Sequence, residues 1–148
     1  MTDLWVEDAL ASARVARLAT VGEGGRLGLV PICFAIVSSL VVSAVDHKPK
    51  RTQHLARLQA IEATGRATVL VDQYDDDDWS RLWWIRVEGR AVVHQAGSAV
   101  DGSARAALVA KYRQYAERPP AGPVYSVALD SVAAWRADQA AVGRADRL

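Results

Sequence analysis

The stretch from Val41 to Leu58, VVSAVDHKPKRTQHLARL, constrains this chain most. Leu40 to Val45 is an apolar, β-branched run with a single serine, and it reads as a buried strand. It runs into a basic knot, Lys48-Pro49-Lys50-Arg51, where a helix begins. Leu55, Leu58 and Ile61 give that helix one apolar face at helical spacing. A strand, a cationic loop and a helix N-terminus therefore follow in order. Free backbone N–H groups and the helix dipole favour an anion there, and lysine and arginine add to the preference. A phosphate-bearing ligand is one occupant that fits. A solvated basic turn is the other reading, since such a turn is a weak motif alone.

The rest of the chain narrows the class. Its 148 residues are one domain's worth of core, so 1–148 is expected to be a single domain. Formal net charge is +1, which argues against bulk attraction to nucleic acid or an anionic membrane. No apolar run approaches the roughly 20 residues that span a bilayer. The opening MTDLWVEDALASARVARL carries acids early and lacks a signal-peptide pattern. The single cysteine, Cys33, allows no intrachain disulfide, and a cytoplasmic setting is expected.

Thr2 to Arg14 predicts a helix with Trp5, Val6, Ala9, Leu10 and Ala13 on one face. Val15 to Val21 predicts a strand, closed by the turn Gly22-Glu23-Gly24-Gly25. Leu27 to Val37 predicts a second strand, and Pro31 within it marks an edge, a bulge or a place where something other than a neighbouring strand is met. With the run after Ser38-Ser39 these form a meander. Gly65 ends the second helix. Arg66 to Asp72 predicts a strand, Gln73 to Arg81 a polar loop, and Leu82 to Gln95 a long strand bulged or bent at Gly89. Ser98 and Asp101 form a capping-box variant that opens a helix to about Tyr115. Val124 to Trp135 predicts a last strand, and the tail from Arg136 is polar. The expected class is mainly β, with six or more antiparallel strands, three helices at the margins and a closed or partly closed barrel.

Few residues announce chemistry. Asp75 to Asp78 offer hard oxygen ligands, but neighbours in an extended loop diverge, so a solvated acidic loop is the better reading. His47, His54 and His94 sit at no metal-binding spacing. His47 abuts the basic knot and can help hold an anion when protonated. Cys33 lies in the apolar Ile32-Cys33-Phe34 and reads as core. The tryptophans stand out more. Trp83 and Trp84 must point to opposite faces of a strand, so one fills the barrel and the other meets solvent, a second subunit or a flat ligand. Arg86 shares the Trp84 face, and an indole plane beside a guanidinium suits a flat ring with polar edges. A tryptophan-rich dimer interface is the competing reading, and both hold if a ligand lies between subunits.

Four segments together carry a resemblance: Ala13 to Thr20, Val30-Pro31-Ile32-Cys33-Phe34, the strand entering Lys48-Pro49-Lys50-Arg51, and Tyr74 to Ala91, YDDDDWSRLWWIRVEGRA. They resemble the flavin/deazaflavin oxidoreductases of the split β-barrel fold, the pyridoxamine-5′-phosphate-oxidase-like group, and within it an actinobacterial subgroup of F-420-dependent enzymes. The resemblance implies a homodimer with two cofactor sites between the subunits. It implies a cofactor phosphate held by Ser43, Lys48, Lys50 and Arg51. The ring would lie along Pro31, Ile32 and Cys33 and be met by the partner's Trp84 and Arg86. The expected activity is hydride transfer between coenzyme F-420 and a small conjugated acceptor, with no dedicated acid or base among the residues. FMN is the alternative cofactor. A carrier or sensor of flavin, deazaflavin or haem is the alternative function, with His94 or Cys33 as haem ligand. The tail WRADQAAVGRADRL has no histidine where pyridoxamine oxidases carry an arginine–histidine motif, which argues against vitamin B6 oxidation.

Overall fold

The computed structural model describes residues 3–46 and 55–137. It contains, in chain order, α1 (Leu4–Ser12), β1 (Ala16–Val21), β2 (Leu27–Ile32), β3 (Ala35–Val37), β4 (Leu40–Ala44), α2 (Ala56–Thr64), β5 (Arg66–Gln73), β6 (Trp83–Val93), α3 (Ala99–Lys111), α4 (Arg113–Glu117), β7 (Val124–Ala128) and β8 (Ser131–Arg136). Short 3₁₀ turns occupy Glu23–Gly25 and Trp79–Arg81. All recorded strand pairings are antiparallel, in the order β2-β1-β5-β6-β7-β4-β3, with β8 added on β6.

The alternation of the sequence places the core. On β5, Ala67, Val69 and Val71 point inward, and on β6 Ile85, Val87, Gly89 and Ala91 do the same. They join Leu18, Ile32, Phe34, Val41 and Tyr125 in the barrel interior, closed by Leu58 and Ile61 of α2 and by Val6 and Leu10 of α1. Each fully buried large side chain contributes about 1.5–3 kcal/mol. A second cluster forms outside β4, where Ala35, Val42, Ala44 and Val124 meet Ala104 and Leu108 of α3. Burial on both faces is why β4 reads as an unbroken apolar run.

Three expected elements are divided. The strand expected over 27–37 is β2 and β3, because β2 pairs with β1 while β3 pairs with β4. Cys33 and Phe34 make the corner between those two pairings, so β1 to β4 form two hairpins in place of one meander. Pro31 lies on β2, at the end of the strand order, where its missing N–H is tolerated. The helix expected to Tyr115 breaks at Tyr112 (φ −114°, ψ 122°). That break lets the Tyr112 hydroxyl accept from the Phe34 N–H at 3.0 Å. The last strand is divided by a bulge. Glu88 faces Ser131 and Ala91 faces Val127, so three residues, 128–130, oppose the two residues Gly89 and Arg90.

The caps follow the sequence more closely. Ser98 Oγ accepts from the Asp101 N–H at 3.3 Å, worth about 1 kcal/mol to α3. Asp101 reaches back one residue further than a capping box, accepting from the Gly97 N–H at 3.1 Å. Gly65 ends α2 in the left-handed region (φ 68°), its N–H bonded to the Ile61 carbonyl at 2.8 Å.

Candidate functional site

The corner between β2 and β3 is held from several sides. Ser43 is buried on β4, and its hydroxyl donates to the Cys33 carbonyl at 2.6 Å. Pro31 is exposed on the outer face and Ile32 is in the core. Cys33 is half-buried, not a core residue as its apolar neighbours suggest. α3 and α4 bring the Lys111 ammonium and the Tyr112 and Tyr115 hydroxyls into range of its thiol. Lys111 Nζ lies 3.9 Å from the Phe34 ring centroid, and the nearby Arg14 guanidinium donates to the Lys111 carbonyl at 2.5 Å. Burial, reinforced by Arg14, pushes the Lys111 amine down to about 8. Tyr115 donates to Asp46 Oδ1 at 2.5 Å; burial first and that carboxylate second raise its hydroxyl well above the ordinary tyrosine value. Lys111, Tyr112 and Tyr115 escaped the sequence reading because nothing local ties the end of α3 to residue 33. Their one signal is a lysine and two tyrosines, K-Y-x-x-Y, in a helix end that is otherwise polar.

The second group lies on β6. Trp83 points inward and meets Trp5 edge-on, with ring centroids 6.3 Å apart. Trp84 points outward, and the Arg86 guanidinium lies 5.4 Å from its ring centroid. The Trp84 indole N–H is occluded and has no hydrogen-bond partner among the described residues. Pro31, Arg17, Leu70 and Arg86 form one row across β2, β1, β5 and β6. Three strand spacings, about 14 Å, therefore separate Pro31 from Arg86 within one chain. Leu27 and Leu29 on the same outer face are 81% and 71% exposed, and Val21 and Leu70 are exposed beside them.

His47, Lys48, Lys50 and Arg51 lie outside the described residues. The acidic loop is a folded turn. Asp75 Oδ1 accepts from the N–H groups of Asp77 at 2.9 Å and Asp78 at 3.0 Å. The Ser80 hydroxyl and N–H bond Asp78 Oδ1 and hold its carboxyl below the usual range. Among the described residues no group of three or more His, Cys, Asp or Glu side chains is placed to hold a metal ion. His94 Nε2 is 2.7 Å from Ser126 Oγ, and burial lowers its pKa against the opposing pull of Asp101. No helix among the described residues is long and apolar enough to cross a membrane.

Known structures give the architecture its place. The conserved hypothetical protein Rv2991 of Mycobacterium tuberculosis superposes with a TM-score of 0.75 at 14% identity, over 99% of this chain and 92% of that one. A FAD-binding protein of Mesorhizobium loti gives 0.68 at 16% identity, over 90% and 92%. HutZ, the haem storage protein of Vibrio cholerae, gives 0.67 at 11% identity, over 89% and 92%. The fold is a split β-barrel. At these identities the likeness extends to the fold alone. No family model and no curated protein matches the sequence.

Proposed function

We propose that this split-barrel chain is an oxidoreductase that binds coenzyme F-420 between two copies of itself and transfers hydride to a small conjugated acceptor. The reading is carried by one observation: Trp84 offers an occluded, unpaired indole N–H beside the Arg86 guanidinium, on the outer face that also carries Pro31. A ring with carbonyl edges supplies the acceptor that this donor lacks. Because Pro31 and Arg86 lie about 14 Å apart in one chain, a second copy would bring its own Trp84 and Arg86 to the Pro31–Cys33 stretch. Hydride chemistry is the cofactor's own contribution when bound. The protein's part is to grip, orient and exclude water. Lys50 and Arg51 would hold the phosphate, and Lys48 or His47 would reach the acidic tail that distinguishes F-420 from FMN. Ser43 fixes the Cys33 carbonyl and with it the path of the ring-bearing stretch. Arg86 would stabilise negative charge at the ring carbonyls.

Titration with F-420 and with FMN, followed by fluorescence, tests the reading. We expect micromolar binding of F-420, weakened by about 2–4 kcal/mol in the Lys50→Ala/Arg51→Ala double variant. Equal binding by the double variant removes the phosphate assignment. Flavin that co-purifies and is released on heating would move the assignment to FMN.

A second reading, cofactor or haem binding without catalysis, draws support from the FAD-binding and haem-storage proteins of the same fold. As a haem ligand through Nε2, His94 would have to surrender its contact with Ser126. A Soret band on haem addition, lost in His94→Ala, supports that reading.

A further inference from the structure

Trp84 and Trp135 stand opposite one another across β6 and β8, on the outer face of the sheet. Both side chains are half-buried. Both indole N–H groups are occluded from water and have no acceptor among the described residues. Native structures carry few such groups, and each calls for an explanation. Two on adjacent strands, directly paired and on one face, share one explanation. Among the described residues no acceptor bonds either N–H, not even the Asp72 carboxylate opposite Trp84 on β5. Arg86, the next outward residue on β6, adds a guanidinium, and the residue opposite it is the small Ala133. Asp72, on the other flank of Trp84, has Arg17 within 3.9 Å.

We infer that Trp84 and Trp135 form a two-donor clamp for the acceptor edge of a planar ligand, which makes Trp135 a ligand-contacting residue. The chemistry required is a carbonyl or carboxylate edge. It comes either from the ring of the proposed cofactor or from a substrate carboxylate. The inference rests on the cofactor reading only for the first of these sources. Indole supplies a donor and no acceptor, so the clamp favours an edge rich in oxygen and disfavours one that presents N–H groups alone.

The test uses Trp84→Phe and Trp135→Phe, which keep an aromatic ring and remove the donor. With five tryptophans in the chain, indole N–H correlation spectra are sparse, and each variant identifies its own signal by loss. The probes are lumiflavin, a ring without phosphate, and benzoate, added alone and to FMN-loaded protein. We expect one probe to shift both indole signals together. Each Phe variant should weaken that probe about tenfold. A response to lumiflavin assigns the clamp to the ring, and a response to benzoate on loaded protein assigns it to a substrate carboxylate. Cofactor binding that both Phe variants retain in full, with the indole signals silent, overturns the clamp and leaves the cofactor reading standing. Absence of cofactor binding with indole signals that follow benzoate does the reverse. Signals that ignore both probes and move only with protein concentration give the donors to a second copy and overturn the clamp. Should a Phe variant not fold, the wild-type titration with assigned signals decides.

Discussion

Lys111 is the residue whose environment departs furthest from its sequence. Half-buried on the Phe34 ring and facing Arg14, Cys33 and Tyr112, it titrates at about 8 against an ordinary 10.5. Below about 8 the amine is charged in folded and unfolded chains alike, and the folded state bears the burial penalty. Between 8 and 10.5 the unfolded chain holds more protons, so stability rises with pH across that window. Above it the amine is neutral in both states and the penalty is gone. Wild type should therefore gain stability relative to Lys111→Met as pH rises through the window. Discounted for a side chain that is half in solvent, the gain is about 1 kcal/mol. Urea unfolding of both proteins below, within and above the window measures it, and a difference that does not change with pH refutes it. Cys33 marks the limit of sequence reading at this scale. Its immediate neighbours are apolar, so it reads as core, whereas its actual neighbours arrive from about eighty residues away. Trp83 and Trp84 show the opposite case: alternation along a strand is local, so their division between interior and exterior was legible from spacing alone.

β6 is the element on which the barrel turns. Along Trp83–Glu88 it carries β8 on one edge and β5 on the other, and along Ala91–Val93 it carries β7. Gly89 sits at the change. A Cβ there would stand 1.9 Å from the Ala128 carbonyl oxygen and 2.8 Å from its carbon. Next to it the Arg90 N–H turns to Asp130 Oδ2 at 2.9 Å, and the Arg90 guanidinium grips the same carboxylate at 3.1 and 3.0 Å. That grip holds the Asp130 carboxyl down to about 2. Gly89→Ala should cost about 3 kcal/mol by denaturant unfolding, since backbone must move to admit the methyl. Gly102, on α3, has nothing within 4 Å of its missing Cβ, so Gly102→Ala should stabilise by about 0.5–1 kcal/mol. Similar effects of the two substitutions would mean that contact at the bulge does not decide the first. The sequence marks Gly89, where the strand beside β6 changes, because glycine inside a strand pattern has few other uses. It does not reveal the break between β2 and β3 or the bulge at 128–130. Those breaks are set by which strands lie alongside, and pairing partners leave no periodic trace in a single chain.

For the whole molecule, the pattern of short strands, turns and marginal helices was enough for a barrel, because each strand declares its buried face. What covers the outer face is a different matter, since exposure in one chain is compatible with water or with a second copy. Leu27 and Leu29 argue for the copy. Both project from β2 on the face that carries Pro31, and solvent alone gives no reason for leucine at two such positions. If the proposed dimer buries them, Leu27→Asp/Leu29→Asp should halve the mass seen by sedimentation equilibrium. Since neither side chain is buried in the isolated chain, the same change should move the stability of the monomer by no more than about 0.5 kcal/mol per site. If the partner's Trp84 and Arg86 complete the site at Pro31–Cys33, F-420 and FMN binding should fall together with the mass. A variant that stays at wild-type mass places the interface elsewhere. A monomeric variant that binds either cofactor as tightly as wild type removes the second copy from the site, and with it the only route by which Arg86 reaches a ring lying on Pro31.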